Sequence, residues 1–258
     1  MPLLLSYPRL LAAGLLTLLL GPAALAASAQ ANLPPVAYTG PRYPGGPDSL
    51  RVALQRLAAT PDAPVAGEFF IKLELDKAGR LRNATPLYSP RTPAAGHLTK
   101  KQTQALDAAL ARWPAWQLTA GQPATGAPTV ILPIAFNPAA SLPALAYSDQ
   151  EPGFAARSLG QDARQPVGIE QLLSFLQRQV RYPAEALRRQ EQGRVYAYFE
   201  ISETGAVEQQ RVVGSAGPTL DAEVGRVLRL IPPALSPPRQ QGRPVRVFYV
   251  QPITFSVK

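Results

Sequence analysis

The side chains that most often carry covalent or metal chemistry are nearly missing from this sequence. It has no cysteine and a single histidine, His97. Thiolate nucleophiles, disulfides and histidine-rich metal sites are therefore excluded. His97 falls in a stretch rich in Pro, Thr and Gly, and an isolated histidine in such a stretch is expected to be a solvated loop residue. We predict neither a cofactor nor a metal site.

Carboxylates are the remaining candidates for acid–base chemistry. In the carboxy-terminal half they include Glu200, Glu203, Glu208, Asp221 and Glu223. Their spacing does not imply two buried acids that face one bond, as a general acid–base pair requires. We expect these side chains to supply surface charge, and we predict that the protein is not an enzyme.

The chain is basic, with 26 Lys and Arg against 17 Asp and Glu and a formal net charge of +9. Such a charge would suit nucleic acid, anionic lipid or another acidic surface. The arginines are scattered, however, and form no dense basic tract with interleaved aromatic residues. We predict a solvated basic surface and no nucleic-acid partner.

The amino terminus has the pattern of an export signal. Arg9 precedes a leucine-rich run over residues 10–20, and small residues follow it. Residues 24–26 and 27–29 both fit the small-x-small rule of signal peptidase, so we predict a signal peptide over residues 1–29, cleaved near Ala26 or Ala29, and a periplasmic location. The alternative is an uncleaved anchor in the inner membrane facing the periplasm, because about twenty apolar residues can cross a bilayer.

The rest of the chain repeats itself. Residues 133–136 read Pro-Ile-Ala-Phe, residues 252–255 read Pro-Ile-Thr-Phe, and each closes a run of matching apolar positions. A repeat on this scale predicts two small domains, over residues 40–137 and 165–258. Residues 138–164 have little periodicity and are predicted to be a linker of variable shape, in which Tyr147 and Phe154 are expected to lie on a surface.

Hydrophobic periodicity predicts the elements of the second copy. Apolar residues recur at helical spacing from Ile169 to Val180, and Pro183 suits the start of a short helix. From Arg194 the period changes to two, which predicts a half-buried strand. The inward set of that strand is Val195, Ala197, Phe199 and Ile201, and the outward set is Tyr196, Tyr198 and Glu200.

Each copy then continues in the same order. A hairpin with a glycine, Gly205 or Gly79, leads to a return strand, a helix and a final strand over residues 245–255 or 129–136. The inward set of the first copy is Phe69, Ile71, Leu73 and Leu75. The predicted fold class is α+β, with two tandem small domains, each a three-stranded antiparallel sheet packed by two to three helices.

The second copy resembles the TonB C-terminal domain family. The residues that carry this resemblance are Tyr182-Pro183-Ala184-Glu185-Ala186, Gly193-Arg194-Val195, Gly205, Ser215-Ala216-Gly217, Leu220-Asp221-Ala222, Pro232, Gly242-Arg243-Pro244-Val245 and Pro252-Ile253-Thr254-Phe255. The first copy is similar but divergent. It keeps Tyr43-Pro44-Gly45-Gly46, Gly79 and Trp113-Pro114, and has Thr60-Pro61 where the second copy has Tyr182-Pro183.

The resemblance implies a binding mode rather than a reaction. Domains of this family hold a short extended peptide, the TonB box of an outer-membrane receptor, by adding it to the edge of the sheet. In this chain the implied partner-binding residues are Arg246, Val247, Phe248, Tyr249 and Val250. A proline at Tyr249 is expected to abolish such binding, while Pro252 would limit how far the pairing runs. The alternative is a core strand whose edge is capped.

Three functions follow as hypotheses. The first is a periplasmic TonB-like protein that binds peptides of outer-membrane receptors or other envelope partners by β-strand addition, associated with TonB-dependent transmembrane transport. The second is a structural or interaction protein whose TonB-like domains pack together or form a homodimer without a receptor. The third is a membrane-anchored energy transducer, which requires an uncleaved leader and is the one case with membrane contact.

Overall fold

In the computed structural model, the structure describes residues 36–38, 40–58, 68–88, 97–118, 127–135, 144–162 and 164–257. Leu33–Lys258 form one compact unit. The leader over residues 1–29 lies outside the described residues, so its cleavage stays a prediction. Within the described ranges, every helix is too short or too polar to span a bilayer.

Five α-helices and ten strands are described. In chain order they are β1 (Val36–Ala37), α1 (Gly46–Ala58), β2 (Glu68–Leu75), β3 (Leu81–Leu87), α2 (Lys100–Leu110), β4 (Thr129–Ala135), β5 (Gln150–Glu151), α3 (Ile169–Gln179), α4 (Ala184–Arg188), β6 (Gly193–Ile201), β7 (Val207–Gly214), α5 (Pro218–Leu228), β8 (Arg239–Gln240), β9 (Arg243–Pro244) and β10 (Val247–Phe255). A short 3₁₀ helix covers Ala156–Leu159.

Two three-stranded antiparallel sheets carry the fold. The first sheet has the order β3-β2-β4 and the second has the order β10-β6-β7, so β2 and β6 are the central strands. Helices α1 and α2 accompany the first sheet, and α3, α4 and α5 accompany the second. The α+β class and the antiparallel three-stranded sheets are confirmed. The boundaries of two separate domains stay a prediction.

The inward faces of the central strands are as predicted. Ile71, Leu73 and Leu75 are fully buried in one core, and Val195, Ala197, Phe199 and Ile201 are fully buried in another with the apolar stripes of α3 and α5. Period-2 alternation places one set of side chains on one face of a strand, where the helices cover it. The same alternation in β2 and β6 therefore builds two cores.

The hairpin glycines make the same kind of contact in both sheets. Gly79 has φ +75 and Gly205 has φ +85, a conformation that side chains with a Cβ rarely adopt. The carbonyl of Gly79 accepts from the amide of Trp116, 2.8 Å away, and that of Gly205 accepts from the amide of Ala234, 2.9 Å away. These bonds tie each hairpin to the segment after the following helix.

The outward faces of the two sheets pack against each other. The rings of Phe70 on β2 and Tyr198 on β6 meet edge to face, with centroids 5.2 Å apart. The guanidinium carbon of Arg211 on β7 lies 4.2 Å from the Tyr198 ring centroid and 5.8 Å from that of Phe70. The prediction that β6 is half-buried is wrong, because its residues from Val195 to Ile201 are all buried. The first sheet covers the face that was expected to meet water.

Residues 144–162 are also more ordered in their packing than a linker of variable shape. Strand β5 joins a small sheet with the order β1-β5-β8-β9. Tyr147 is 3 % exposed and Phe154 is fully buried, so the expectation that both lie on a surface is wrong. Tyr147 stacks on Tyr38, and its hydroxyl accepts from the amide of Tyr43, 2.9 Å away. This segment therefore packs into both hydrophobic cores, Tyr147 into the first and Phe154 into the second.

Candidate functional site

The edge strand β10 contains four of the five residues implied as a partner-binding site. It pairs with β6 without interruption from Val247 opposite Ile201 to Phe255 opposite Gly193. It is the outermost strand of the second sheet, so every second residue directs its main-chain groups away from β6. Because β6 is paired on both sides, a further strand could be added beside β10 or beside β7, and the implied site residues lie on β10.

The direction of each main-chain group follows from two hydrogen bonds. The amide of Phe248 donates to the Leu145 carbonyl, 3.0 Å away, and the amide of Leu145 donates to the Arg246 carbonyl, 2.8 Å away. Residues 246 and 248 therefore face outward, and since the register is unbroken, so do residues 250, 252 and 254. Val247 and Tyr249 face β6. A proline at Tyr249 would break the existing sheet rather than test its edge.

Pro252 fits this outer row. A proline has no amide hydrogen, and it is tolerated in a strand where that hydrogen would point away from the neighbour. Pro252 lies opposite Tyr196 at an outward position, so its missing amide costs no bond to β6. Among the described residues, the outward amide and carbonyl of Val250 have no main-chain partner.

The start of the outer row is already occupied by the chain itself. We call residues 144–146 the edge segment. Leu145 forms a parallel bridge to Val247, and its side chain is 6 % exposed. Ala144 and Leu145 are both buried. Of the five implied site residues, Arg246 thus has its outward carbonyl and Phe248 its outward amide bonded to Leu145, whereas the described part of the chain makes no such bond to Val250.

Arg246 lies just before β10 and holds three carboxylates. Its guanidinium is 2.5 Å from Glu208, 3.1 Å from Glu200 and 3.5 Å from Glu203. The hydrogen bonds to Glu208 and Glu200 raise the pKa of Arg246. Glu200 is 6 % exposed and also accepts from the Tyr198 hydroxyl at 2.6 Å. The Arg246 side chain therefore holds the sheet together and leaves its backbone carbonyl as the group at the edge.

Tyr249 points to the helix side of the sheet. Its ring stacks on Phe199 with centroids 5.4 Å apart. Burial raises the pKa of Tyr249 well above its usual value, and the nearby Glu151 and Tyr38 add to that effect. Burial likewise raises the pKa of Glu151 to about 7, against a hydrogen bond from the Ile169 backbone that lowers it. The side chain of Tyr249 is a packing residue and lies away from the edge.

Tyr182, part of the motif that carries the family resemblance, is a fold element. Its ring meets Phe255 edge to face with centroids 5.6 Å apart, and its hydroxyl donates to the Glu191 carbonyl. His97 is exposed and stacks on Tyr88, with ring centroids 3.9 Å apart. The described residues contain no group of His, Asp or Glu that could hold a metal ion.

Sequence reasoning missed the edge segment. Its two main-chain bonds involve Leu145 alone, so they leave no periodic pattern in the sequence. A usable signal did exist for the sheet-to-sheet contact: Phe70 interrupts the polar stripe of Glu68, Lys72 and Glu74 on the outward face of β2. A large aromatic residue in such a stripe often marks an interface.

The comparisons with known proteins concern the second copy. Residues 178–257 match the family model described as Gram-negative bacterial TonB protein C-terminal. A solved NMR structure of the Helicobacter pylori TonB C-terminal domain is 23 % identical, covers 35 % of this chain and 94 % of its own length, and has a TM-score of 0.27. At that score the structural likeness carries no argument. No curated protein matches the chain.

The family model spans α4, α5, both hairpin strands and β10, the elements that build the second sheet and its edge. It does not reach the first sheet, so a TonB-like origin of the first copy stays a prediction. Residues 178–257 of this chain are therefore similar to the C-terminal domain of the TonB family.

Proposed function

We propose that this protein works in the periplasm and binds an extended segment of an envelope partner, the TonB box of an outer-membrane receptor, by adding it to the edge of β10. The proposed partner-binding residues are Arg246, Val247, Phe248, Tyr249 and Val250. The supporting observation is the outer row of β10, which ends a sheet within the segment that matches the TonB C-terminal family and has main-chain groups at Val250 that no described residue pairs with. Main-chain pairing would supply the affinity in this binding mode.

The proposed role is in TonB-dependent transport across the outer membrane, and it is a role in binding rather than in catalysis. No step of it requires a nucleophile, a metal or a cofactor. Only one strand edge and a ligand with an extended backbone are needed. The side chains of β10 then act indirectly, because they hold the strand flat against β6.

A proline at Val250 tests the proposal. Val250→Pro removes the outward amide without touching the pairing with Tyr198, whereas Val250→Ala keeps that amide and shortens the side chain. We expect Val250→Pro to weaken binding of receptor TonB-box peptides by about tenfold, and Val250→Ala to change it little. Isothermal titration with a panel of such peptides measures both. Equal binding by Val250→Pro and the unaltered protein would refute strand addition at this edge.

The second candidate is a structural protein that binds no receptor. The packing of Phe70 against Tyr198 supports it, since this contact packs the outward faces of the two sheets together. This candidate predicts no binding by any TonB-box peptide and a stable homodimer in analytical ultracentrifugation. The first candidate predicts peptide binding with no dependence on self-association.

Retention of the leader would change the role again. An anchored protein could act as an energy transducer, while a cleaved one would be a free periplasmic protein. Mass spectrometry of the mature amino terminus distinguishes them: we expect a chain that begins near residue 27 or residue 30, and an intact leader would revive the transducer.

A further inference from the structure

The edge segment, residues 144–146, occupies the place that an added strand would take. Leu145 both donates to and accepts from the outer row of β10, the pattern by which an incoming strand pairs with a sheet. It lies alongside Val247, so it covers the first two outward positions of the proposed binding site. Any partner that pairs with Arg246 and Phe248 must replace it.

The contact is small enough to open. Its main-chain part is one isolated bridge with two hydrogen bonds rather than a strand, and its buried side chains are those of Ala144 and Leu145. Each such bond contributes only a little to the net free energy of a folded chain. On the far side of the bridge, the chain is held more firmly, because Tyr147 is buried against Tyr38 and Tyr43. Release of residues 144–146 therefore leaves Tyr147 in place.

The side chain of Leu145 gives this position a chemical preference. It is buried beside the edge although it belongs to neither of the two cores, and Ala144 and Ala146 flank it. The site beside Val247 thus accepts one aliphatic side chain between two small ones. A partner segment that took over both hydrogen bonds would bring its own side chain into the same site.

We propose that the edge segment is an internal ligand of the β10 edge, and that an extended partner segment displaces it and places an aliphatic side chain where Leu145 now lies. This inference rests on the proposed function for its partner. It adds that the free protein is held partly closed and that the partner is selected by one aliphatic residue next to small ones. The apparent affinity for the partner is then lower than the intrinsic affinity of the open edge, because only the molecules in which Leu145 has left the edge can bind.

The test uses the full-length protein and a capped synthetic peptide with the sequence of residues 144–149. Leu145→Pro in the protein removes the amide that donates to Arg246. Ala146→Pro is the matched control, because it stiffens the same segment without removing a bond to β10. We expect the Leu145→Pro variant to bind the peptide about tenfold more tightly than the unaltered protein and Ala146→Pro do.

The NMR signal of the Phe248 amide reports the site. It should shift when the peptide is added to the Leu145→Pro variant, and a peptide with aspartate in place of the leucine should not shift it. Should Leu145→Pro fail to fold, Leu145→Ala keeps both hydrogen bonds and loses only the aliphatic burial. It must then bind the peptide more tightly than the unaltered protein. Equal affinities across these proteins, or an unchanged Phe248 signal, would overturn the proposal.

Receptor peptides separate this inference from the proposed function. If the unaltered protein binds TonB-box peptides and Leu145→Pro does not strengthen that binding, the proposed function stands and the internal ligand does not. If no TonB-box peptide binds any variant while the chain's own peptide binds Leu145→Pro as expected, the internal ligand stands and the receptor does not.

Discussion

At the scale of single residues, Glu151 is a carboxyl group held where its ionised form is poorly solvated. It is 8 % exposed, and burial raises its pKa from 4.5 to about 7, helped by the nearby charge of Glu170. Between these two values the folded protein keeps a proton that the unfolded chain has lost. The free energy of unfolding should therefore fall as the pH rises through this range, the reverse of the usual carboxylate.

The variant Glu151→Gln isolates this effect. The neutral amide should make the protein more stable than the unaltered one above about pH 7, by about 3 kcal/mol, and nearly equal to it below about pH 4.5. Urea unfolding at both ends of the range measures the difference, and other titrating groups cancel in the comparison. A difference that is the same at low and high pH would show that Glu151 does not titrate in this way.

Arg246 is a residue whose side chain and backbone have separate tasks. Its guanidinium neutralises the buried Glu200 and two more exposed carboxylates, while its carbonyl accepts from Leu145. Loss of one partner of a buried ion pair is costly because the other charge is left without compensation. The family resemblance pointed to this residue, and the structure gives its side chain a role within the sheet.

We expect Arg246→Met to destabilise the protein by about 3 kcal/mol, because Glu200 would remain buried without its cation. The matched control is Glu203→Gln, which removes the most exposed of the three carboxylates, 51 % exposed and 3.5 Å from the guanidinium. That change should cost less than about 1 kcal/mol. Thermal or urea unfolding compares the two, and similar losses would mean that Glu200 does not depend on Arg246.

At the scale of the elements, the helices and central strands could be predicted because their periodicity is long. Leu220, Val224, Val227 and Leu228 recur on one face of α5, and all are buried. In β6 the predicted inward residues Val195, Ala197, Phe199 and Ile201 recur at every second position, and all four are buried. Such patterns repeat one physical requirement several times, so a single exception does not hide them.

The parts that could not be predicted involve few residues each. The strands β1, β5, β8 and β9 have two residues each, too few to show a period of two. Which residues of β10 face outward, the odd-numbered or the even-numbered ones, can be assigned only from an observed hydrogen bond. That bond comes from Leu145, which lies about a hundred positions away in the sequence. Local patterns do not contain contacts of this range.

At the scale of the whole molecule, the two sheets are joined through their outward faces. Phe70 and Phe69 are neighbours on β2 with equal exposure, 3 % each, yet they point in opposite directions. Phe70 meets Tyr198 of the second sheet, while Phe69 lies near Tyr88 of the first, with ring centroids 6.3 Å apart. The two phenylalanines therefore offer a matched pair for measuring how strongly the sheets are coupled.

A double-mutant cycle makes that measurement. Phe70→Leu combined with Tyr198→Leu should show a coupling energy of about 1 kcal/mol, as edge-to-face aromatic pairs do. Phe69→Leu combined with Tyr198→Leu should show a coupling near zero, because these side chains lie on different faces. Urea unfolding of the single and double variants yields both values. A zero coupling in the first cycle would mean that the aromatic contact adds nothing to the union of the sheets.

The face that carries Tyr196, Tyr198 and Phe248 has a consequence for how the protein is made. Ribosomes synthesise the amino-terminal half first, so Phe70 emerges well before the aromatic surface that will cover it. During that interval the newly made amino-terminal half exposes an apolar surface to chaperones and export factors. A fragment cloned from residue 165 onward would present the complementary patch permanently, and we would expect it to precipitate or to need a solubilising fusion.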